Sequence, residues 1–195
     1  MIKMENVSAA VVTKLGEEIG RAFMAEEGCL AENFTLDEGI QYFRTLTELY
    51  YETGCLYTTS VNYEGFAAYW RKQNRPRITF MLKMIYRLLK RLPFSTLIRL
   101  IKSLKGWKDY EEKYKKERDY VSVSMVVVLK EYQGKGFMRK VLEDPFVLAE
   151  SRNIPCILDT DSTLKAEKYI RYGMKVVSQK QMTGKNIMYT MEYRS

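Results

Sequence analysis

Three observations predict a single domain of mixed α/β (α+β) type. Apolar residues recur first at helical steps of three and four, then in strand-like alternation, and the two patterns keep exchanging along the chain. One run, Tyr120–Leu129 (YVSVSMVVVL), passes from alternation into a wholly apolar stretch, as a strand covered on both faces does. A glycine loop, Gln133-Gly134-Lys135-Gly136, follows it and opens into helical spacing. The 195 residues suffice for a real core, since a chain of this size buries about 70 % of its unfolded surface.

The elements follow in order. Val7, Val11, Leu15, Ile19, Ala22 and Phe23 predict an amphipathic helix over 6–26. A second helix is predicted from Thr35 or Leu36 to about Thr53, with Ile40, Phe43, Leu46, Leu49 and Tyr50 on one face. Thr35 and Glu38 have capping-box spacing at its start, and Gly54 stops it. Cys55–Val61 and Gly65–Trp70 read as strands around a hairpin turn at Asn62–Gly65. After Tyr120–Leu129, a helix is expected from Gly136 or Phe137 to about Ser151. A short strand over Ile154–Thr160 and a short helix over Leu164–Tyr172, ended by Gly173, come next. Met174–Gln181 and Asn186–Tyr193 close the chain as a hairpin around Thr183-Gly184.

Charge is concentrated. Residues 1–70 hold 4 basic and 11 acidic side chains, 71–108 hold 12 basic and none acidic, and 109–195 hold 16 and 13. The whole basic excess therefore sits in one segment, which argues against a uniformly basic nucleic-acid coat. There is no histidine, and Cys29, Cys55 and Cys156 are an odd set without CxxC spacing. Histidine-based triads are excluded and no metal site is expected. Acid–base work must fall to Asp, Glu, Tyr, Lys, Cys or water. Met1–Ala10 lacks an apolar signal core and no 18-residue run is free of charge, so a cytoplasmic protein with reduced thiols is expected.

The glycine loop carries the chemistry. Gly134 and Gly136 let the backbone turn tightly against a ligand, and the helix that follows points unpaired N–H groups back at the loop. Such an arrangement binds phosphate, with Lys135 adding charge at the mouth. An ordinary tight turn is the competing reading. The third glycine of a dinucleotide fingerprint and the GK[ST] of a Walker loop are both missing.

The loop QGKGFM after Val128-LKEY, then IPCILDT, then Tyr169-Ile170-Arg171-Tyr172-Gly173-Met174, resembles the GNAT N-acetyltransferase superfamily. Ala22-Phe23 and GFAAYW at Gly65–Trp70 extend the likeness upstream. It is nearest in pattern to the small-molecule (puromycin-type) branch. The resemblance implies a GNAT-type fold, with a central, mostly antiparallel sheet of about six or seven strands flanked by helices. It implies one domain over 1–195, with an acetyl-CoA-binding core at 120–181 and a basic helical insert at 71–118. Acetyl-CoA would be the co-substrate and a small primary amine the acceptor. The backbone of Val126, Val127 and Val128 would bond the pantetheine arm like an added strand. An amide at Val126 or Val127 would polarise the acetyl carbonyl. Gln133, Gly134, Lys135, Gly136, Phe137 and Met138 would hold the pyrophosphate, with Thr160 and Lys165 also toward the cofactor. Tyr169 would protonate the departing thiolate; a core aromatic is its alternative.

Four positions depart from the family pattern. Met138 replaces a small residue, Lys130 a proline, and Lys165 an asparagine. Ser122 stands where several members carry a glutamate base. A water chain, a carboxylate such as Asp119, or an acceptor arriving as free amine must then answer for the proton.

The insert holds two amphipathic pieces. Ile78, Met81, Leu82, Ile85, Leu88, Leu89 and Leu92 form one stripe, opposite Lys83, Arg87, Lys90 and Arg91. After Pro93, Phe94, Leu97, Ile98, Ile101 and Leu104 are apolar and Arg99, Lys102 and Lys105 basic, with Trp107 and Tyr110 following. A helical lid packed on the sheet with its basic face in water is the plain expectation. A charged face for CoA or an acidic acceptor, and a membrane-surface contact through 77–105, compete with it. Nucleic acid is not expected, since aromatics are not interleaved with the basic face. The insert is expected to help form the acceptor site, with Tyr57, Trp70, Tyr114 and Ser122 as lining residues. The rival to an enzyme is a non-catalytic acyl-CoA-binding or membrane-surface protein on the same scaffold. The quaternary state is left open between monomer and homodimer.

Overall fold

The computed structural model of the protein describes residues 1–26, 32–103, 114, 119–182 and 187–194. Cys29, Leu104, Lys105, Trp107, Tyr110 and the Thr183-Gly184 turn lie outside these residues. Among the described residues, seven strands form one sheet: β1 (Ile2–Lys3), β2 (Leu56–Thr58), β3 (Gly65–Arg71), β4 (Val121–Val128), β5 (Cys156–Thr160), β6 (Lys175–Gln181) and β7 (Ile187–Tyr193). Their spatial order is β1-β2-β3-β4-β5-β7-β6, antiparallel throughout except for the parallel pair β4 and β5. Among the described residues the helices are α1 (Ala9–Met24), α2 (Leu36–Glu52), α3 (Ile78–Arg91), α4 (Phe94–Ser103), α5 (Phe137–Glu150) and α6 (Thr163–Arg171).

The predicted elements are present with ends shifted by a few residues. β1 and two 3-10 turns, Lys72–Asn74 and Lys130–Tyr132, have no counterpart in the sequence patterns. Two or three residues are too few to display a period. At the start of α2, Thr35 and Glu38 close the capping box in both directions.

Each face of the sheet carries its own core. On one, α1 and α2 bury Leu15, Ile19, Phe43, Leu49 and Tyr50 against Phe66, Ala68, Met125 and Val127. The two helices approach closely because Gly20 has no side chain: a Cβ there would lie 2.7 Å from Ile40 Cα. On the other, α5 and α6 bury Val141, Leu142, Phe146, Ala149, Ala166 and Tyr169 against Ala67, Val121, Val123 and Leu158.

The insert departs from expectation. α3 docks on α2 with the opposite polarity to a lid whose basic face is solvated. Arg87 and Arg91 reach Glu48 at 3.5 and 2.8 Å, while Lys83 and Arg87 hold Glu52. Burial pushes the Glu48 carboxyl up, but the hydrogen bonds from Arg91 and Arg44 outweigh it and hold the group below its usual value. Phe80 stacks on Tyr50 with centroids 5.4 Å apart. Phe34, Leu88, Leu92 and Leu100 make a small separate cluster. Glu38 receives Thr96 and Arg99 of α4, the latter at 3.1 Å. Five of the seven residues of the predicted apolar stripe face outward instead: Ile78, Met81, Leu82, Ile85 and Leu89 are exposed, while Leu88 and Leu92 are buried.

Candidate active site

β4 and β5 pair only over Val121–Val123 and Cys156–Leu158. β4 runs on to Val128 beside β3 alone, so its last residues leave β5 behind. Parallel strands that separate in this way open a wedge in the sheet, with backbone N–H and C=O groups along one wall. A bulge sharpens the divergence. Ala68 faces Met125 and Tyr69 faces Val123, which leaves Ser124 as the extra residue. Its hydroxyl meets Tyr50 Oη at 2.7 Å.

A cavity of about 440 Å³ occupies this wedge. Val126, Val127 and Val128 form its floor, and Gln133, Gly134, Gly136, Phe137 and Met138 form one side. Gly134 and Gly136 sit at φ +77° and +82°, and nothing lies within 4 Å of where a Cβ would be. Backbone conformation, not crowding, therefore selects glycine at both. Gly136 is also the N-cap of α5 and offers no side-chain cap, so the first-turn amides are turned toward the loop without a capping acceptor. Gln133 Nε2 donates to Val128 O at 3.1 Å and ties the loop to the strand it follows.

The remaining walls come from α1 and α6 and the residues just past their ends. Phe23 and Glu26 lie across from Lys165, Lys168, Arg171 and Tyr172. Lys165 Nζ pairs with Glu26 at 2.9 Å and lies 4.9 Å from the Phe23 ring centroid, joining the two helices over the cleft. Three cations on one helix make this wall attractive to phosphate. Glu26, Lys168, Arg171 and Tyr172 are additions to the expected set. Lys168 and Arg171 follow Lys165 at helical steps of three, a signal that was legible; nothing marked Glu26.

The other expected residues have these positions. Lys135 lies outside the cavity wall, 5.7 Å from the Tyr132 ring. Thr160 is buried at the end of β5 and accepts from Ser162 N at 3.4 Å, so it shapes the turn into α6. Tyr169 is buried between α6 and the sheet and is not among the residues that line the cavity. Burial raises its phenol well above the ordinary value, and the charges of Glu26 and Asp161 add to the rise. Its proton is therefore held firmly through neutral pH.

None of the four expected acceptor-site residues lines the cavity, and three of them lie along one row of the sheet. Trp70, Ser122, Ile157 and Glu192 are successive cross-strand partners on β3, β4, β5 and β7. Tyr114 donates to Glu192, which brings it to the same row. Trp70 packs beside Tyr50 with centroids 6.0 Å apart. Its buried indole Nε1 has no hydrogen-bond partner among the described residues. Tyr57 lies on the opposite face of the sheet, stacked on Tyr69 at 4.2 Å, because strand alternation sends Tyr57 and Tyr69 away from Trp70. Asp119 is bound by Arg71, with Nε at 2.9 Å, and by its own neighbour's amide, so its oxygens are spent on structure. Among the described residues no cluster of potential metal ligands occurs.

No protein-family model matches this chain, and a search of curated protein sequences finds no match. Solved structures do match it. Histone acetyltransferase HPA2 and related acetyltransferase from Corynebacterium glutamicum superposes with a TM-score of 0.61 at 16 % identity, over 100 % of this chain and 98 % of that one. Arylalkylamine N-acetyltransferase 2 from Aedes aegypti gives 0.59 at 12 % identity, over 97 % of each. An N-acetyltransferase from Staphylococcus aureus gives 0.56 at 12 % identity, over 96 % and 98 %. With the parallel β4–β5 pair splayed beside a glycine loop, and with these acetyltransferase structures superposing along nearly the whole chain, the protein has the GNAT acetyltransferase fold.

Proposed function

We propose that the protein is an acetyl-CoA-dependent N-acetyltransferase acting on a primary amine, with a small molecule as acceptor. The observation that carries this reading is the wedge between β4 and β5, closed at one end by the glycine loop and the N-terminus of α5. The free edge of Val126–Val128 suits the amides of a pantetheine arm. The amides of Gly134–Met138 suit the pyrophosphate, helped by Lys168 and Arg171. The thioester then lies toward the bulge at Ser124, where a strand amide polarises its carbonyl.

The amine attacks the thioester carbon directly, and the C–S bond breaks as the tetrahedral adduct collapses. The family resemblance assigns the proton for the departing sulfur to Tyr169, which lies behind the cavity wall and must reach the sulfur by a shift of α6 or through a water. Its raised pKa keeps the proton available at neutral pH but makes it a weak acid, so the hydrogen bond to the developing thiolate does most of the stabilising. Glu26 is the carboxylate on the cavity wall, at its loop end beside Lys165 and Gln133, and we assign it the proton that the amine sheds, relayed through water. Ser122 has no basicity for that task. One structural neighbour is an arylalkylamine N-acetyltransferase, and Trp70 with Tyr50 beside it suits an acceptor with an apolar body.

The deciding experiment is thiol release from acetyl-CoA across a panel of polyamines, arylalkylamines, aminoglycosides, amino acids and peptides. Amine-dependent release with a stoichiometric acetylated product is expected. Tight CoA binding with no release for any amine would overturn catalysis in favour of a binding role.

A further inference from the structure

The outward faces of α3 and α4 each carry a series of exposed apolar residues among basic ones. Ile78, Leu82, Ile85 and Leu89 on α3, with Phe94 and Ile101 on α4, are between 50 % and 73 % exposed. Single exposed leucines are ordinary on a soluble protein; an aligned series is not. On α3 the series follows steps of three and four, so it forms one stripe. The opposite side of that helix is already engaged, through Arg87 and Arg91 on Glu48 and through Phe80 on Tyr50. α3 cannot turn its stripe inward without breaking those ion pairs.

Charge says what the stripe meets. Residues 71–108 contain no acidic side chain. Arg77 at the N-cap of α3, Lys90 on α3 and Lys102 on α4 are exposed beside the apolar residues, and Lys90 Nζ lies 4.4 Å from the exposed Tyr86 ring. A second copy docked through a two-fold contact would set these cations against themselves with no carboxylate to answer them. An anionic bilayer surface satisfies both parts of the pattern, taking aliphatic side chains into the acyl boundary and cations at phosphate level. The helices are about 21 and 15 Å long at 1.5 Å per residue, too short to cross about 30 Å of hydrocarbon. Among the described residues no helix is long and apolar enough to span a membrane. We infer that α3 and α4 dock flat on an anionic lipid surface through this face. The inference stands apart from the acyl-transfer reading and uses none of its residues.

The test is co-sedimentation of the full chain with phosphatidylcholine vesicles, with and without phosphatidylserine, at low and high salt. Anionic vesicles are expected to bind at least about tenfold more protein than neutral ones, with binding falling as salt rises. Ile85→Ser with Leu89→Ser should lose about tenfold or more at an unchanged melting temperature, since both side chains are exposed. Lys90→Gln should lose roughly fivefold on anionic vesicles only. Ile101→Ser on α4 provides a second, independent variant. Equal sedimentation of wild type and all apolar variants would overturn the inference. So would absence of binding to anionic vesicles at low salt. A wild-type dimer split by the same variants would also overturn it and give the face to a second copy.

Discussion

Helices α5 and α3 carry comparably clear apolar stripes, yet they set them in opposite directions. α5 buries Val141, Leu142, Phe146 and Ala149 on the sheet. α3 leaves Ile78, Leu82, Ile85 and Leu89 in the open and turns three cations toward α2. What each helix meets explains the difference. α5 lies over an apolar surface made by Ala67, Val121 and Val128, where only its own apolar side can be buried without unpaired charge. α3 lies along the flank of α2 that presents Glu48 and Glu52. There, partly buried carboxylates need partners, and a basic face supplies them. Periodicity states that a helix has two faces. It does not state which one points inward when both neighbours are available.

Substitutions in the cleft beneath α6 should have larger effects than those at the α2–α3 contact. Tyr169→Phe keeps the ring and removes the proton donor. Turnover should fall roughly 10–1000-fold in steady-state assays while CoA affinity, measured by calorimetry, stays near wild type. Unchanged turnover would remove Tyr169 from the reaction. Glu26→Gln should lower turnover by about tenfold or more at neutral pH. That loss should shrink as pH rises, because the acceptor then arrives already deprotonated. A loss independent of pH would mean that Glu26 only positions Lys165.

The α2–α3 contact should respond to charge. Glu48→Gln leaves Arg44, Arg87 and Arg91 without the carboxylate that joins them, at a cost of about 1–3 kcal/mol in denaturant unfolding. The sign of the pH dependence follows from the lowered carboxyls. Despite their burial, Glu48 and Glu52 are held below their usual 4.5 by arginine and lysine partners. Their contribution is therefore complete above that value and fades as pH falls through the folded-state value. Stability measured between neutral pH and about pH 3 should fall less in Glu48→Gln than in wild type.

The smallest effect separates backbone from packing. Gly136→Ala meets open space but must keep φ near +82°. A loss of about 1 kcal/mol is expected, with weaker CoA binding as the loop shifts. A change of loop shape without loss of CoA affinity would argue against phosphate contact there.

Much of the molecule was readable along the chain. The capping box at Thr35, the all-apolar end of β4 and the glycine loop are properties of neighbouring residues, and local chemistry settles them. The acetyltransferase architecture followed because its strand–loop–helix motif is contiguous from Val126 to Met138. The acceptor-side expectations fared differently. Tyr57 and Trp70 are both aromatics on adjacent strands, but alternation and pairing place them on opposite faces. Tyr169 was legible as a motif residue, while the burial that raises its phenol, and the lesser push from Glu26 just after α1 and Asp161 in the β5–α6 turn, depend on the packed fold.

Local order along the chain thus specifies where helices and strands form and which residues can share a side. It also specifies the concentration of positive charge at 71–108, visible before any fold is known. Contacts between distant segments decide the rest. Glu26 reaches Lys165 only because α1 and α6 flank the same wedge, and Glu48 captures Arg91 only because the chain returns α3 to α2. Those pairings depend on the energies of both partners and of the surfaces they leave exposed, so no pattern within one segment contains them.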